Sequence, residues 1–232
     1  MRVHSAQPDR WLSFGLAFVG GYGDAASFIL AKTFTGHVTG SLVLAAVSIA
    51  DRDWRVGIAR LSAVLCFLLG ILVSLVIARL LATRRLWPVL PTALATEMIL
   101  ILAAYMALAV AVPARIEIFV VCLSLALGLQ NGAFRQTGGI SVHTNYMTGM
   151  LTALITGEAS KYISETPPPR NAPSDRKFNL LSGIWIAFVL GAGAGAEMVL
   201  HFKERGILGA VLLVLAVIVT LISRSRTEPA AS

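Results

Sequence analysis

The chain has 232 residues, of which 56% are hydrophobic and 13% charged, with a formal net charge of +7 and a mean hydropathy of +0.78. Soluble domains carry about 25% charged residues, so the composition excludes an ordinary soluble domain. It also leaves little room for a barrel: the apolar runs are far longer than roughly 10-residue alternating strands, and a bilayer admits only helices otherwise. The expected fold is all-α, a polytopic transmembrane helical bundle forming one integral membrane domain over residues 1–232.

The positive charge does not indicate nucleic acid. Arg and Lys sit mostly between apolar runs, where the positive-inside bias places them, and no basic face is interleaved with stacking aromatics. The lipid bilayer is the expected partner. Cys66 and Cys122 both lie inside apolar runs without metal-ligand spacing, and are read as small packing residues.

Taken in order, Met1 to Arg10 is short and polar, and eight apolar segments follow. The first, Trp11 to about Leu30, is interrupted by Gly20, Gly21, Gly23 and Asp24, and is read as a retained segment rather than a cleaved signal. The second spans about Phe34 to Ala50, the third about Val56 to Ala82, and the fourth Val89 to Val112. The fifth is Ile116 to about Phe134, the sixth about Tyr146 to Ile163, the seventh Phe178 to Leu200, and the eighth about Ile207 to Ile222. A bilayer core of about 30 Å needs roughly 20 helical residues. The third, fourth and seventh segments meet that easily, whereas the second and sixth are marginal. The loop from Ser164 to Lys177, with Pro167, Pro168 and Pro169, reads as a long exposed connection.

Two stretches share one layout. GYGDAASFILAKTFTGHVTG, from Gly21 to Gly40, has a Gly, a polar residue three on, and a closing Thr-Gly. So does GLQNGAFRQTGGISVHTNYMTG, from Gly128 to Gly149, with Asn131 against Asp24 and Thr148-Gly149 against Thr39-Gly40. Phe67 to Gly70 with Ser74, and Phe188 to Gly191 with Gly195, extend the match into segments three and seven. The sequence therefore predicts two internal repeats of four segments each, about 11–112 and 116–223. The small residues four apart let helices approach closely in lipid, and the Gly70/Ser74 and Gly191/Gly195 faces are candidate contacts for a homo-oligomer.

Charge distribution places both termini in the cytoplasm by either of two topologies. If all eight segments cross, the repeats are parallel, and Arg52, Arg55, Arg60 and Arg115 lie on the N-terminal side. If segments two and six are re-entrant and six cross, the repeats are inverted, and Arg79, Arg84, Arg85 and Arg135 take their place. The charge count does not separate the two.

The paired motif resembles the YoaK-like family of bacterial multi-pass membrane proteins of unknown function. The residues that carry the resemblance are Gly21, Asp24, His37, Thr39 and Gly40 in the first copy. In the second they are Gly128, Gln130, Asn131, Gly138, Gly139, Ser141, Val142, Thr144, Thr148 and Gly149. Ser41 stands where the pattern has Asn. The resemblance implies a location, the bacterial cytoplasmic (inner) membrane, and an architecture, but no activity.

Asp24 is the sharpest candidate. An acidic residue near mid-span costs about 2.5–3.5 kcal/mol on insertion scales, and is usually kept for a proton, an ion or a substrate. The plainer reading is an interhelical bond, with His37 or Arg135 as partner. Gln130 and Asn131 occupy the equivalent depth in the second copy, suited to a polar solute or a cation, or to helix–helix hydrogen bonds. Thr39-Gly40 and Thr148-Gly149 fit the N-caps of segments two and six, where two helix starts aimed at the midplane would frame a site. Thr144 completes the candidate substrate-binding or ion-coupling set. Glu97, in segment four, reads as a proton relay or as an ion pair with Arg60 or Arg79. Glu197 and His201 read as an interfacial i, i+4 pair.

No nucleophile elbow, zinc-protease helix, P-loop or paired-Cys motif is present in the sequence, so neither catalysis, a cofactor nor a metal is expected. The reading that follows is a small secondary transporter or channel for a small polar solute, proton or ion. A non-transporting scaffold, sensor or lipid-binding subunit is the alternative.

Overall fold

A computed structural model describes residues 10–84, 89–110, 112–134, 136–137, 140–141, 147–163 and 173–227. The described chain is helical apart from one small hairpin. The helices are α1 (Arg10–Ala31), α2 (Val38–Ala50), α3 (Trp54–Arg84), α4 (Val89–Ala109), α5 (Arg115–Ala133), α6 (Met147–Ile163), α7 (Pro173–Phe202) and α8 (Leu208–Thr227). A 3-10 turn, Lys203–Ile207, joins α7 to α8. The strands β1 (Gln136–Thr137) and β2 (Ile140–Ser141) pair antiparallel, Gln136 opposite Ser141. They fall inside the second polar break, where composition predicted no strand.

Five helical stretches are long and apolar enough to cross a membrane: Arg10–Ala31, Trp54–Leu81, Val89–Ala109, Arg115–Ala133, and Lys177–Ser223, which runs through α7, the 3-10 turn and α8. The surface agrees with lipid as the surrounding solvent. Leu65 is 67% exposed, Leu200 65% and Leu212 65%, while Asp24, Glu97 and Gln130 are buried. Water would reverse that distribution. The chain is a multi-pass helical membrane protein.

α2 is shorter than its apolar run. Phe34 to His37 lie in the preceding loop, and the helix spans 13 residues, about 20 Å at 1.5 Å per residue. It turns back on α3 through Asp51–Asp53, where Arg52 takes a positive φ of 62°.

Two close helix pairs set the interior. α1 lies against α7, and α3 against α5. A Cβ on Gly21 would strike the Phe188 carbonyl, and one on Gly191 the Phe18 carbonyl; Gly195 abuts the Tyr22 backbone. In the other pair, Gly128 abuts the Phe67 carbonyl, Gly70 the Leu125 carbonyl, and Gly132 the Ser74 side chain. Backbones this close gain dispersion and Cα–H···O contacts that a larger residue would forbid. The Gly70/Ser74 and Gly191/Gly195 faces therefore pack against helices of the same chain.

The same contacts give directions. Along α1, Phe14, Phe18 and Tyr22 meet Gly183, Gly191 and Gly195 in rising order, so α1 and α7 run the same way. Gly70 and Ser74 likewise meet Gly128 and Gly132, so α3 and α5 do too. α1 and α5 oppose each other: Gln130 bonds to Leu16, whereas Leu127 packs on Gly23. Leu16, Leu94, Ile101, Phe119, Leu123 and Ile184 fill the core between these helices.

Candidate functional site

The first polar break folds around Asp24. α1 stops at Ala31; Lys32 takes φ 51°, which turns the chain out of the helix, and the loop 32–37 follows. Phe34 stacks on Phe28 of α1, centroids 4.6 Å apart, and Ser41 of α2 donates to the Phe34 carbonyl at 2.7 Å. With the aromatic ring as anchor, the loop amides face α1. The Thr35 and Gly36 N–H groups donate to Asp24 Oδ1 at 3.0 and 2.6 Å. Thr35 Oγ1 donates to Ser27 Oγ at 3.1 Å, and Ser27 Oγ donates to the Asp24 carbonyl at 3.0 Å.

The other carboxylate oxygen, Asp24 Oδ2, is buried without a hydrogen bond and lies 3.4 Å from His37 Nδ1. Of the two partners that the sequence offered, His37 lies beside Asp24; Arg135 lies outside the described residues. The imidazole is half-enclosed between Phe34 and Phe188, 5.8 and 6.2 Å away by ring centroids. Asp24 itself is 3% exposed. A carboxylate with one oxygen saturated by backbone amides and the other turned to a titratable imidazole can trade a proton or admit a cation between them.

Arg60 secures the outer side of this unit. From α3 its guanidinium donates to the Leu44 carbonyl at 2.8 Å, to Ser48 Oγ, and to the Lys32 carbonyl at 3.0 Å. One side chain thus holds α2 and the end of α1 to α3. Arg60 therefore does not pair with Glu97. At the same end of the bundle, a 560 Å³ crevice is lined by Ala31, Thr33, Asp53, Arg55, Arg115 and Glu117 among others. Arg55 and Glu117 bridge α3 and α5 across it at 2.7 Å.

The remaining candidates separate. Thr39 is the second residue of α2 and exposed; His37 holds the cap position and makes no side-chain cap bond. Thr148 is likewise the second residue of α6 and exposed. The expectation that Thr39-Gly40 caps segment two is thus corrected: the Asp24 carboxylate and the Phe34 stack position the helix start, not a hydroxyl at residue 39. Gly40 packs against the Phe34 ring, where a Cβ would crowd it, whereas Gly149 is partly exposed. Gln130 is fully buried, and its amide donates to the Leu16 carbonyl at 2.9 Å, a helix–helix bond. Asn131 is 6% exposed. Thr144 lies outside the described residues. Glu197 and His201 do pair, at 3.2 Å.

Sequence reasoning passed over Thr35, Gly36 and Ser27. The signal was present: Thr35-Gly36 repeats the Thr-Gly dipeptide four residues before Thr39-Gly40, and Ser27 follows Asp24 by one helical turn. Among the described residues, no three His, Cys, Asp or Glu side chains gather at metal-binding distance.

Neither the curated proteins nor the solved structures contain a match to this chain. A family match covers residues 12–221, nearly all of the apolar bundle and both polar breaks. The chain belongs to DUF1275, a family whose description reads "protein of unknown function".

Proposed function

We propose that this protein is a small secondary transporter or channel for a small polar solute or ion, with its working site at the Asp24 loop and the corresponding break after α5. The observation that carries the reading is the Asp24 carboxylate, buried in a helix of membrane-spanning length, with one oxygen on two loop amides and the other 3.4 Å from His37. Holding helices together does not call for an ionisable pair inside a membrane, where such groups mark ion and proton paths. Asn131 takes the place of Asp24 in the second unit, and Gln130 stands beside it. The solute meets these polar groups, and Asp24 with His37 carries the coupling proton or ion.

The architecture that accompanies this reading has two inverted repeats, about 11–112 and 116–223, and six crossings, with α2 and α6 entering and leaving on one side. Three features support it. The Gly21–Phe188 and Gly191–Phe18 contacts have counterparts in Gly128–Phe67 and Gly70–Leu125. α1 and α5, which head the two repeats, oppose each other. α2 and the apolar part of α6, Met147–Gly157, are too short to cross. Inverted repeats around a broken-helix site are a common transporter plan. Six crossings put Arg79, Arg84 and Arg85 on the side of both termini, the cytoplasmic side of a bacterial inner membrane.

A thermal-shift screen of purified protein against small polar metabolites, inorganic anions and cations tests this reading, run beside Asp24→Asn and Asn131→Ala. A ligand that binds only the folded state adds about 2.7 kcal/mol at a hundredfold excess over Kd. A compound that stabilises the wild type and loses its effect in both variants supports the site. If no compound stabilises the wild type and both variants simply melt lower, the polar residues are structural. A co-purifying partner in stoichiometric amount would then favour a scaffold or sensor.

A further inference from the structure

Glu97 is the other deeply buried acid among the described residues. It stands in α4, eight residues past Val89, which is roughly 12 Å along the helix at 1.5 Å per residue. It occupies the buried stripe of that helix, between Leu94 and Ile101. Its exposure is 0%, and neither carboxyl oxygen has a hydrogen-bond partner. On α5, which packs along α4, Ser124 is also fully buried with its hydroxyl unpartnered.

Among the described side chains, the charged groups on the elements around α4 do not counter it. Arg55 and Glu117 pair with each other, and Arg60 is spent on α2 and Lys32. Arg79 and Arg115 are exposed near helix ends, and Lys203, Glu204 and Arg205 lie in the 3-10 turn. The cysteines of α3 and α5, Cys66 and Cys122, are free thiols. A carboxylate taken out of water without a counter-charge or donor is far costlier than the neutral acid. Even the neutral acid forgoes hydrogen bonds here, a cost that Leu or Met at the same position would avoid.

We propose that Glu97 is a second proton-binding site of this protein: a carboxyl that holds its proton in this conformation and releases it when another conformation opens the α4–α5 interior to water. The holding step stands on burial and geometry alone; the release step rests on the transporter reading.

Infrared difference spectra of the folded protein in H2O and D2O, at neutral pH, test the first step in the wild type, Asp24→Asn and Glu97→Gln. The expected result is a protonated-carboxyl C=O band, shifted in D2O, that is present in the wild type and in Asp24→Asn and missing from Glu97→Gln. No such band in the wild type, or a band that survives in Glu97→Gln, overturns the proposal. Should Glu97→Gln fail to fold, persistence of the band in Asp24→Asn still supports Glu97, and its loss there assigns the band to Asp24 and overturns the proposal. The second step is read in proteoliposomes as proton flux under an imposed potential, expected to fall at least tenfold in Glu97→Gln; unchanged flux overturns release. A band that behaves as expected beside an empty ligand screen leaves the proton site standing and sinks the transporter reading alone.

Discussion

At the scale of single residues, space and charge are the two controls. Gly21 has the Phe188 carbonyl where its side chain would be, whereas Gly193, on the same α7 as Phe188, has open space there. Gly21→Ala must push α1 off α7 and should cost about 1–3 kcal/mol, the range for overpacking. Gly193→Ala should be neutral or stabilising by up to about 1 kcal/mol through helix propensity. Thermal melts of the two variants in one detergent check the pair, and equal melting temperatures would contradict the packing described. At Asp24, the charge strengthens the Thr35 and Gly36 bonds. Asp24→Asn keeps an acceptor but loses charge assistance, and should destabilise by about 1–2 kcal/mol, the difference between charged and neutral hydrogen bonds. That Asp24 has a partner was legible, with His37 as one of two choices, because an acid inside an apolar run demands one. The two amides on Asp24 were not, because only the path of loop 32–37 brings them there.

At the scale of elements, α2 depends on what lies around it. It is short, and its outer residues Leu42, Val43 and Val47 face away from the protein. Isolated helices of this length are marginal; α2 persists by its contacts with α3, chiefly Gly57 against Ile49 and the Arg60 fork. Arg60→Met keeps the stem and removes the fork. Hydrogen exchange should then speed up about ten- to a hundredfold in α2, as expected for hydrogen bonds from a charged donor worth about 1.5–3 kcal/mol. Amides of α5 should change little. Uniform acceleration across α2 and α5 would mean that Arg60 supports the whole bundle rather than this one helix. The sequence marked α2 as marginal in length for a span, and placed its start at Thr39-Gly40. Hydroxyl-glycine pairs are capping signals only where the chain enters the helix from outside, and here the entry is held earlier, by Phe34 and Asp24.

At the scale of the molecule, the opposition of α1 and α5 is the decisive relation. With six crossings, the turns at Asp51, Arg115 and Arg205 share one side of the membrane. With eight, Asp51 and Arg115 lie opposite Arg205. All three positions are exposed. Single cysteines there, in a Cys66→Ser, Cys122→Ser background, should all react with an impermeant thiol reagent from the same side of intact cells. Labelling of Arg205→Cys alone from that side would restore the eight-crossing topology.

The sequence by itself determined the solvent and the elements. Long apolar runs admit only helices in lipid, and the eight segments lie within about five residues of where hydropathy put them, because backbone satisfaction in a bilayer is a local requirement. It also marked Asp24, Glu97 and the glycine faces as residues that an apolar span does not need. Only the tertiary structure decided what those residues meet. Gly70 and Gly191 serve packing inside the chain because α5 and α1 come against them. Glu97 is buried without a hydrogen-bond partner, and Arg60, one of the partners the sequence offered it, bonds to α2 and Lys32. Directions and partners are properties of helices brought together from distant parts of the chain, and a local pattern of residues carries no record of which helix arrives.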